Sequence, residues 1–267
     1  MKLGIFDSGM GGLLIARSIL EQLPDINLTY LGDTLHLPYG ARSKDAIYQY
    51  TKNAIEFLFE QDCALIIVAC NTASAAALRQ IQQEYLPQSY PDRRVLGVVV
   101  PTLEAASEKK FKRVGLIATK YIVESGIYSE ELKKINPEIE IFSKATPLLV
   151  PLIENEGEEW LHSVLESYLL PLKEQNIDSL ILGCTHYAFI KDMAQMILGP
   201  EVAVLSQTDI IPQKAVDYLE RHPEINTQIS YDGEQDYFLS DITSTYLEAS
   251  KKMCVRDVVF QKVGTLK

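Results

Sequence analysis

Cysteine is scarce in this 267-residue chain, and nothing in its spacing pairs it. Cys63, Cys70, Cys184 and Cys254 include no CxxC motif. That argues against a disulfide framework and leaves free thiols as the expectation. Long apolar runs are missing as well. The densest, Cys63 to Cys70, stops at Asn71, far short of the ~18 residues that a membrane span requires. Positive charge is the third shortage: 25 Lys and Arg stand against 36 Asp and Glu, a net charge of −11. So acidic a chain repels phosphate backbones. Its basic clusters, Lys109-Lys110-Phe111-Lys112-Arg113 and Lys251-Lys252, are short and read as solvated helix ends. Neither nucleic acid nor a membrane is therefore an expected partner. The opening Met1-Lys2-Leu3-Gly4-Ile5-Phe6-Asp7 puts an acid where a signal peptide needs its hydrophobic stretch, so a cytoplasmic location is expected.

What the chain does have is alternation. Short β-rich runs at residues 3–6, 28–31, 65–69, 95–100, 114–118, 139–142, 180–182, 202–205 and 228–231 alternate with helical patterns. Ala16, Ile19, Leu20 and Leu23 recur at helical spacing. Ser43 is placed to cap a helix with Ile47, Tyr50, Ala54 and Leu58 on one face. Residues 73–85 are helical by composition and end before Pro87; helices are also expected over 209–221 and 241–252. This pattern predicts an α/β architecture with mostly parallel sheets. The number of elements favours two α/β domains, 1–97 plus 211–267 and 98–210, with a (β/α)8 barrel as the rival.

Ligands of open α/β sheets bind beyond the carboxyl ends of the strands. Four polar clusters fall at such ends: Asp7-Ser8-Gly9-Met10-Gly11-Gly12, Gly32-Asp33-Thr34 with Pro38-Tyr39-Gly40, Cys70-Asn71-Thr72, and Cys184-Thr185-His186. The first is not a nucleotide cradle. Leu14 stands where GxGxxG needs its third glycine, and the Gly-Lys-Ser/Thr ending of a phosphate loop is absent. A tight turn with a helix cap and a ligand-binding turn both remain open for it. Cys184-Thr185-His186 offers two ligands without a CxxC partner, so no metal site is expected.

Cys70 and Cys184 form an internal echo: each ends a buried apolar strand, then come small polar residues and a helical pattern. A helix N-terminus favours a thiolate, whereas Cys63 and Cys254 lack that setting and read as structural. A cysteine protease or thioesterase needs one nucleophilic Cys and a His base, and gives no reason for a second, equivalent thiol. Inversion at a carbon acid does. One thiolate removes the α-proton from one face, the opposite thiol protonates the other, and the roles exchange in the reverse direction. Hydroxyl, amide and N–H groups beside each Cys could hold a carboxylate and stabilise enolate charge.

Taken together, Asp7-Ser8-Gly9-x-Gly11-Gly12, Gly32-Asp33-Thr34…Pro38-Tyr39-Gly40, Ala69-Cys70-Asn71-Thr72-Ala73-Ser74 and Gly183-Cys184-Thr185-His186-Tyr187 closely resemble the glutamate racemases of the cofactor-independent aspartate/glutamate racemase superfamily. The resemblance runs in order from residue 3 to about 210. It implies two similar open parallel-sheet α/β domains facing each other across an active-site cleft, the C-terminal segment returning to the first. It implies that Cys70 deprotonates D-glutamate and Cys184 L-glutamate, Asp7 assisting Cys70 and His186 with Glu154 assisting Cys184. Asp7, Ser8, Tyr39, Gly40, Asn71, Thr72, Thr185 and His186 would contact the substrate. No cofactor is implied, glutamate is the expected partner, a second copy of the chain is a candidate partner, and the product would feed peptidoglycan synthesis. One departure stands out: members usually carry Ala-Arg before Pro-Tyr-Gly, whereas Leu35-His36-Leu37 precedes Pro38 here. That makes His36 a surface or loop residue with no assigned role.

Two rivals share the scaffold: an aspartate racemase, and a non-catalytic amino-acid-binding regulator. A pyridoxal-phosphate racemase would need a Schiff-base lysine beside a phosphate cradle, and nothing marks such a lysine. If Cys70 and Cys184 are the working thiols, iodoacetamide should abolish activity by modifying one of them, and glutamate should protect. Peptide mass spectrometry of the inactivated protein reads the result. Label confined to Cys63 or Cys254 would refute the assignment.

Overall fold

The computed structural model describes residues 1–155, 157–253, 258–263 and 266. Cys254 lies outside the described residues. By internal packing the chain divides into two compact units, Met1–Val98 with Ile211–Lys267, and Val99–Ile210.

The first unit is built on a six-stranded sheet. Its strands are β1 (Lys2–Asp7), β2 (Leu28–Gly32), β3 (Cys63–Val68), β4 (Arg94–Gly97), and, after the second unit in sequence, β9 (Gln235–Leu239) and β10 (Phe260–Lys262). The spatial order is β10-β9-β2-β1-β3-β4, and each pairing is parallel. Every residue of β2 and β3 is buried, as befits inner strands covered on both faces. The second unit carries four strands, β5 (Arg113–Ala118), β6 (Glu140–Ala145), β7 (Ser179–Gly183) and β8 (Ala203–Leu205), in the order β6-β5-β7-β8, again all parallel. Its core joins Ile117 and Leu182 to Leu149, Leu165, Leu169 and Tyr187. Two open sheets replace the closed barrel that strand number alone left possible.

Local signals explain most helices. Ser43 caps α2 (Lys44–Glu60) by accepting from the Ala46 N–H at 3.3 Å. α1 (Gly12–Gln22) starts at the glycine turn, and α3 (Asn71–Gln80) starts directly after Cys70. Several expectations shift. The 95–100 strand stops at Gly97, and a helix, Val99–Glu108, begins where the valine run suggested continued β structure. The expected 228–231 strand is absent: those residues form a turn and loop after the short helix Pro223–Asn226, and the strand is Gln235–Leu239. The helix after Cys70 does not stop before Pro87. It widens into a π turn, Ile81–Tyr85, and then runs through Pro87 to Ser89. Proline is tolerated there because it occupies the first turn of the new helical segment, where its missing N–H has no intrahelical bond to make. No helix among the described residues is long and apolar enough to cross a membrane.

Register lines up the strand ends. Asp7 is level with Gly32 and Phe6 with Val68, so Asp7, Asp33 and Cys70 leave the sheet side by side. Gly32 is level with Leu239, which sets Ser240 beside Asp33. In the second unit Ala118 is level with both Ala145 and Gly183, which aligns the exits to Thr119, Thr146 and Cys184.

One glycine is required by close approach. A Cβ at Gly12 would meet Asp7 Cβ at 2.4 Å and Cγ at 3.0 Å, and Asp7 is wholly buried. Gly12→Ala should therefore cost about 1–3 kcal/mol of stability, the usual range for overpacking, read as a lowered urea midpoint. An unchanged midpoint would show that the β1 end yields freely.

Candidate active site

In the first unit the polar strand ends converge. The Asp7 carboxylate is buried and accepts from the N–H groups of Gly9 and Gly12, both at 3.1 Å. A buried carboxylate needs such donors, so Asp7 organises the turn that presents Ser8. The Ser8 hydroxyl donates to Cys70 Sγ at 3.1 Å. Cys70 itself is the N-cap of α3, its sulfur accepting from the Ala73 N–H at 3.4 Å. A sulfur that receives two donors at a helix start is in a setting that favours negative charge. Asn71 and Thr72 form the first turn of α3 and are buried.

The Pro38-Tyr39-Gly40 lip lies in the same unit. Tyr39 opens a short 3-10 turn, Tyr39–Ala41. Its ring is buried, and its hydroxyl donates to Asp33 Oδ2 at 2.6 Å. Burial, with the Asp33 carboxylate and then the charges of Cys70 and Asp7, raises its phenol well above the ordinary value. Tyr39 is thus held as a neutral phenol. His36, read from the sequence as a surface or loop residue with no assigned role, lies in the connection between β2 and α2, in the short 3-10 turn Thr34–His36. It is less than a quarter exposed and bonds to Asp33 through Nδ1 at 2.8 Å.

In the second unit Cys184 follows β7 and is partly exposed. The expected α-helix after it is a 3-10 turn, Thr185–Ile190, and Cys184 makes no side-chain cap bond. Aromatic and β-branched residues in Thr185-His186-Tyr187 disfavour an immediate α-helix. The thiol has a different neighbour: Cys184 Sγ lies 3.8 Å from His186 Nδ1, and His186 Nε2 lies 2.8 Å from Glu154 Oε1. Glu154 ends the short helix Leu149–Glu154. A thiol, an imidazole and a carboxylate thus stand in series. Burial opposes a charge on His186, yet the Cys184 and Glu154 groups beside it outweigh that and raise it well above 6.5. Thr185 is buried beside them.

Against known proteins the chain has clear relatives. Residues 15–215 match the family model described as Asp/Glu/hydantoin racemase. A glutamate racemase of Geobacter metallireducens is 37% identical over 254 residues, covering 94% of this chain and 91% of that protein. The chain belongs to the Asp/Glu/hydantoin racemase family.

Its fold is likewise shared. A glutamate racemase isoform from Bacillus anthracis superposes with a TM-score of 0.90 at 28% identity, covering 99% of this chain and 98% of that one. A glutamate racemase from Francisella tularensis, solved in complex with D-glutamate, does so with a TM-score of 0.88 at 29% identity, covering 99% and 97%. As a racemase of this family the chain is an amino-acid isomerase.

The racemase also has buried polar residues near Cys184 that motif reading missed. Gln207 Nε2 donates to Thr102 Oγ1 at 3.3 Å and to the Tyr128 hydroxyl at 3.5 Å. Thr146 Oγ1 and the Tyr187 hydroxyl are 2.6 Å apart. Burial, reinforced by the charge of Cys184, raises the phenols of both Tyr128 and Tyr187. Tyr187 closes the Gly183-Cys184-Thr185-His186-Tyr187 motif, but the others sit in helical or apolar stretches that carry no short signature. Only register would reveal Thr146, one residue beyond β6. Cys63 is the opposite case. Burial, partly offset by Thr29, pushes its thiol up to about 12, so it is no nucleophile near neutrality. Among the described residues, no group of three or more His, Cys, Asp or Glu is arranged to hold a metal ion.

Because His186 is raised in the folded state, the stability its charge contributes is fully present below its ordinary value of 6.5 and is lost as pH rises through the folded value. His186→Asn should therefore be destabilised relative to the parent below that pH. The deficit should shrink towards alkaline pH in urea titrations. A deficit that grows with pH would reverse the assignment.

Proposed function

We propose that the protein interconverts L- and D-glutamate without a cofactor, through two thiols acting on opposite faces of the α-carbon. The observation that carries this is the pair of cysteines at equivalent strand ends, Cys70 bonded to Ser8 and Cys184 beside His186. Glutamate as substrate is supported by relatives that are glutamate racemases, one of them bound to D-glutamate.

The steps follow from the chemistry. From D-glutamate, the Cys70 thiolate takes the α-proton and the electron pair delocalises into the α-carboxylate. The Cys184 thiol then delivers its proton to the opposite face, giving L-glutamate and leaving Cys70 protonated and Cys184 as thiolate. L-Glutamate reacts from that state with the roles exchanged. Asp7 assists at Cys70 by fixing the turn that bears Ser8. At Cys184, the raised His186, held by Cys184 and Glu154, places a positive charge beside the sulfur that gains and loses the proton. The Ser8 hydroxyl and the buried Asn71, Thr72 and Thr185 side chains, with the Tyr39-Gly40 lip, hold the carboxylates and ammonium; a preorganised site of this kind stabilises developing charge without reorganisation. D-Glutamate so formed would supply peptidoglycan synthesis, which suits a cytoplasmic enzyme.

The test is isotopic. Started from either enantiomer in deuterium oxide, the product should carry α-deuterium almost completely from the first turnovers, while the remaining substrate gains little. Cys70→Ser and Cys184→Ser should each lose about 10²–10⁴-fold in racemisation, the range for one acid–base group. Each should still eliminate a β-leaving group from one enantiomer of a suitable glutamate analogue, the two variants preferring opposite enantiomers. Return of the abstracted proton, or a shared preference, would overturn the two-base reading. Turnover of aspartate in place of glutamate would overturn the substrate.

A further inference from the structure

The cluster around Asp33 is larger than the resemblance accounts for. Asp33 is wholly buried, and three side chains donate to it: Tyr39 through its hydroxyl at 2.6 Å, Ser240 through Oγ at 2.7 Å, and His36 through Nδ1 at 2.8 Å and 3.0 Å. Facing a carboxylate, Nδ1 carries the proton. The His36 ring stacks on Tyr50 of α2, with centroids 4.1 Å apart and planes 14° from parallel. Ser240 also accepts from the Leu35 N–H at 2.9 Å, and the Asp33 N–H donates to the Asp7 carbonyl at 3.0 Å.

We propose that His36 is a positioning residue: anchored on Tyr50, it clamps the Asp33 carboxylate and thereby fixes the Tyr39-Gly40 lip for substrate. The Tyr39 hydroxyl is committed to Asp33 and its ring is buried, so the side chain acts as a peg. Its service to the substrate runs through the backbone. Tyr39 and Gly40 open the 3-10 turn, and the first N–H groups of such a turn have no partner within it, which suits them to an anion. A carboxylate held by three donors on three segments cannot rotate. With the His36 donor removed, Oδ2 keeps only Tyr39 and Oδ1 only Ser240, so the carboxylate and the peg bonded to it are held less firmly. The effect falls on substrate binding, because His36 bonds to neither cysteine motif in this arrangement.

This rests on the reading of Tyr39-Gly40 as a substrate contact, and the experiment separates the two. Steady-state kinetics with glutamate would compare the parent with His36→Phe, which keeps the stacking ring but loses the donor, and His36→Asn, which keeps a donor at the Nδ1 position but loses the ring. Tyr39→Ala and Asp33→Asn complete the set. His36→Phe should raise KM about tenfold, the effect of one lost hydrogen bond to a charged acceptor, with kcat within about twofold. His36→Asn should restore most of the KM. In the Asp33→Asn background, His36→Phe should add little further, since coupled residues are not additive. Unchanged KM in Tyr39→Ala would refute the lip itself. Raised KM in Tyr39→Ala with unchanged KM in His36→Phe would refute the clamp and leave the lip standing. Equal KM in His36→Phe and His36→Asn, or full additivity with Asp33→Asn, would reduce His36 to packing and overturn the proposal.

Discussion

Two carboxylates buried at neighbouring strand ends constrain the whole first unit. A charge removed from water must be met by donors, or it costs several kcal/mol. Asp7 is met by backbone N–H groups of its own turn, which forces that turn to curl tightly and brings Gly12 against Asp7. Asp33 is met by side chains from three segments, which ties the Leu35 to Tyr39 stretch and the end of β9 into one framework. The two are joined directly by the Asp33 N–H and the Asp7 carbonyl. Ser8, and through it Cys70, occupies its place because these acids have been satisfied in this manner.

The second unit reaches a comparable end by other means. Cys184 has no capping N–H; its electrostatic neighbour is the imidazole of His186, itself raised by Cys184 and then Glu154. One thiol therefore sits in a field of backbone dipoles and a hydroxyl, the other beside an ionisable side chain. Similar strand-end positions are served by different donors, so the echo between the two motifs is topological and does not extend to their surroundings.

Much of this was legible in the sequence. Strand–helix alternation showed the architecture because parallel inner strands must be apolar on both faces, and the polar clusters showed strand ends because a buried strand cannot end otherwise. What escaped reading has physical causes. Val98-Val99-Val100 has β propensity, but tertiary context starts a helix at Val99. Gln228-Ile229-Ser230-Tyr231 alternates like a strand, yet it follows a helical turn directly. Thr102, Tyr128 and Gln207 are far apart in sequence and joined by folding alone, as are Thr146 and Tyr187. His36 showed no role in the sequence because nothing nearby in the chain announces that Ser240 will share its carboxylate.

The discontinuity of the first unit has a consequence for how the protein comes into being on the ribosome. β2 pairs on one side with β1 and on the other with β9, and β9 follows the whole of the second unit in the chain. The contiguous span Val99–Ile210 emerges with all four strands of its sheet. The earlier strands must meanwhile wait with the β2 edge open, the kind of edge that invites foreign pairing. Ser240 emerges just behind β9, so the last donor to Asp33 arrives at the moment that edge closes. Closure of the β2 edge and locking of the lip are one event in synthesis, and a chain cut short before β9 lacks both.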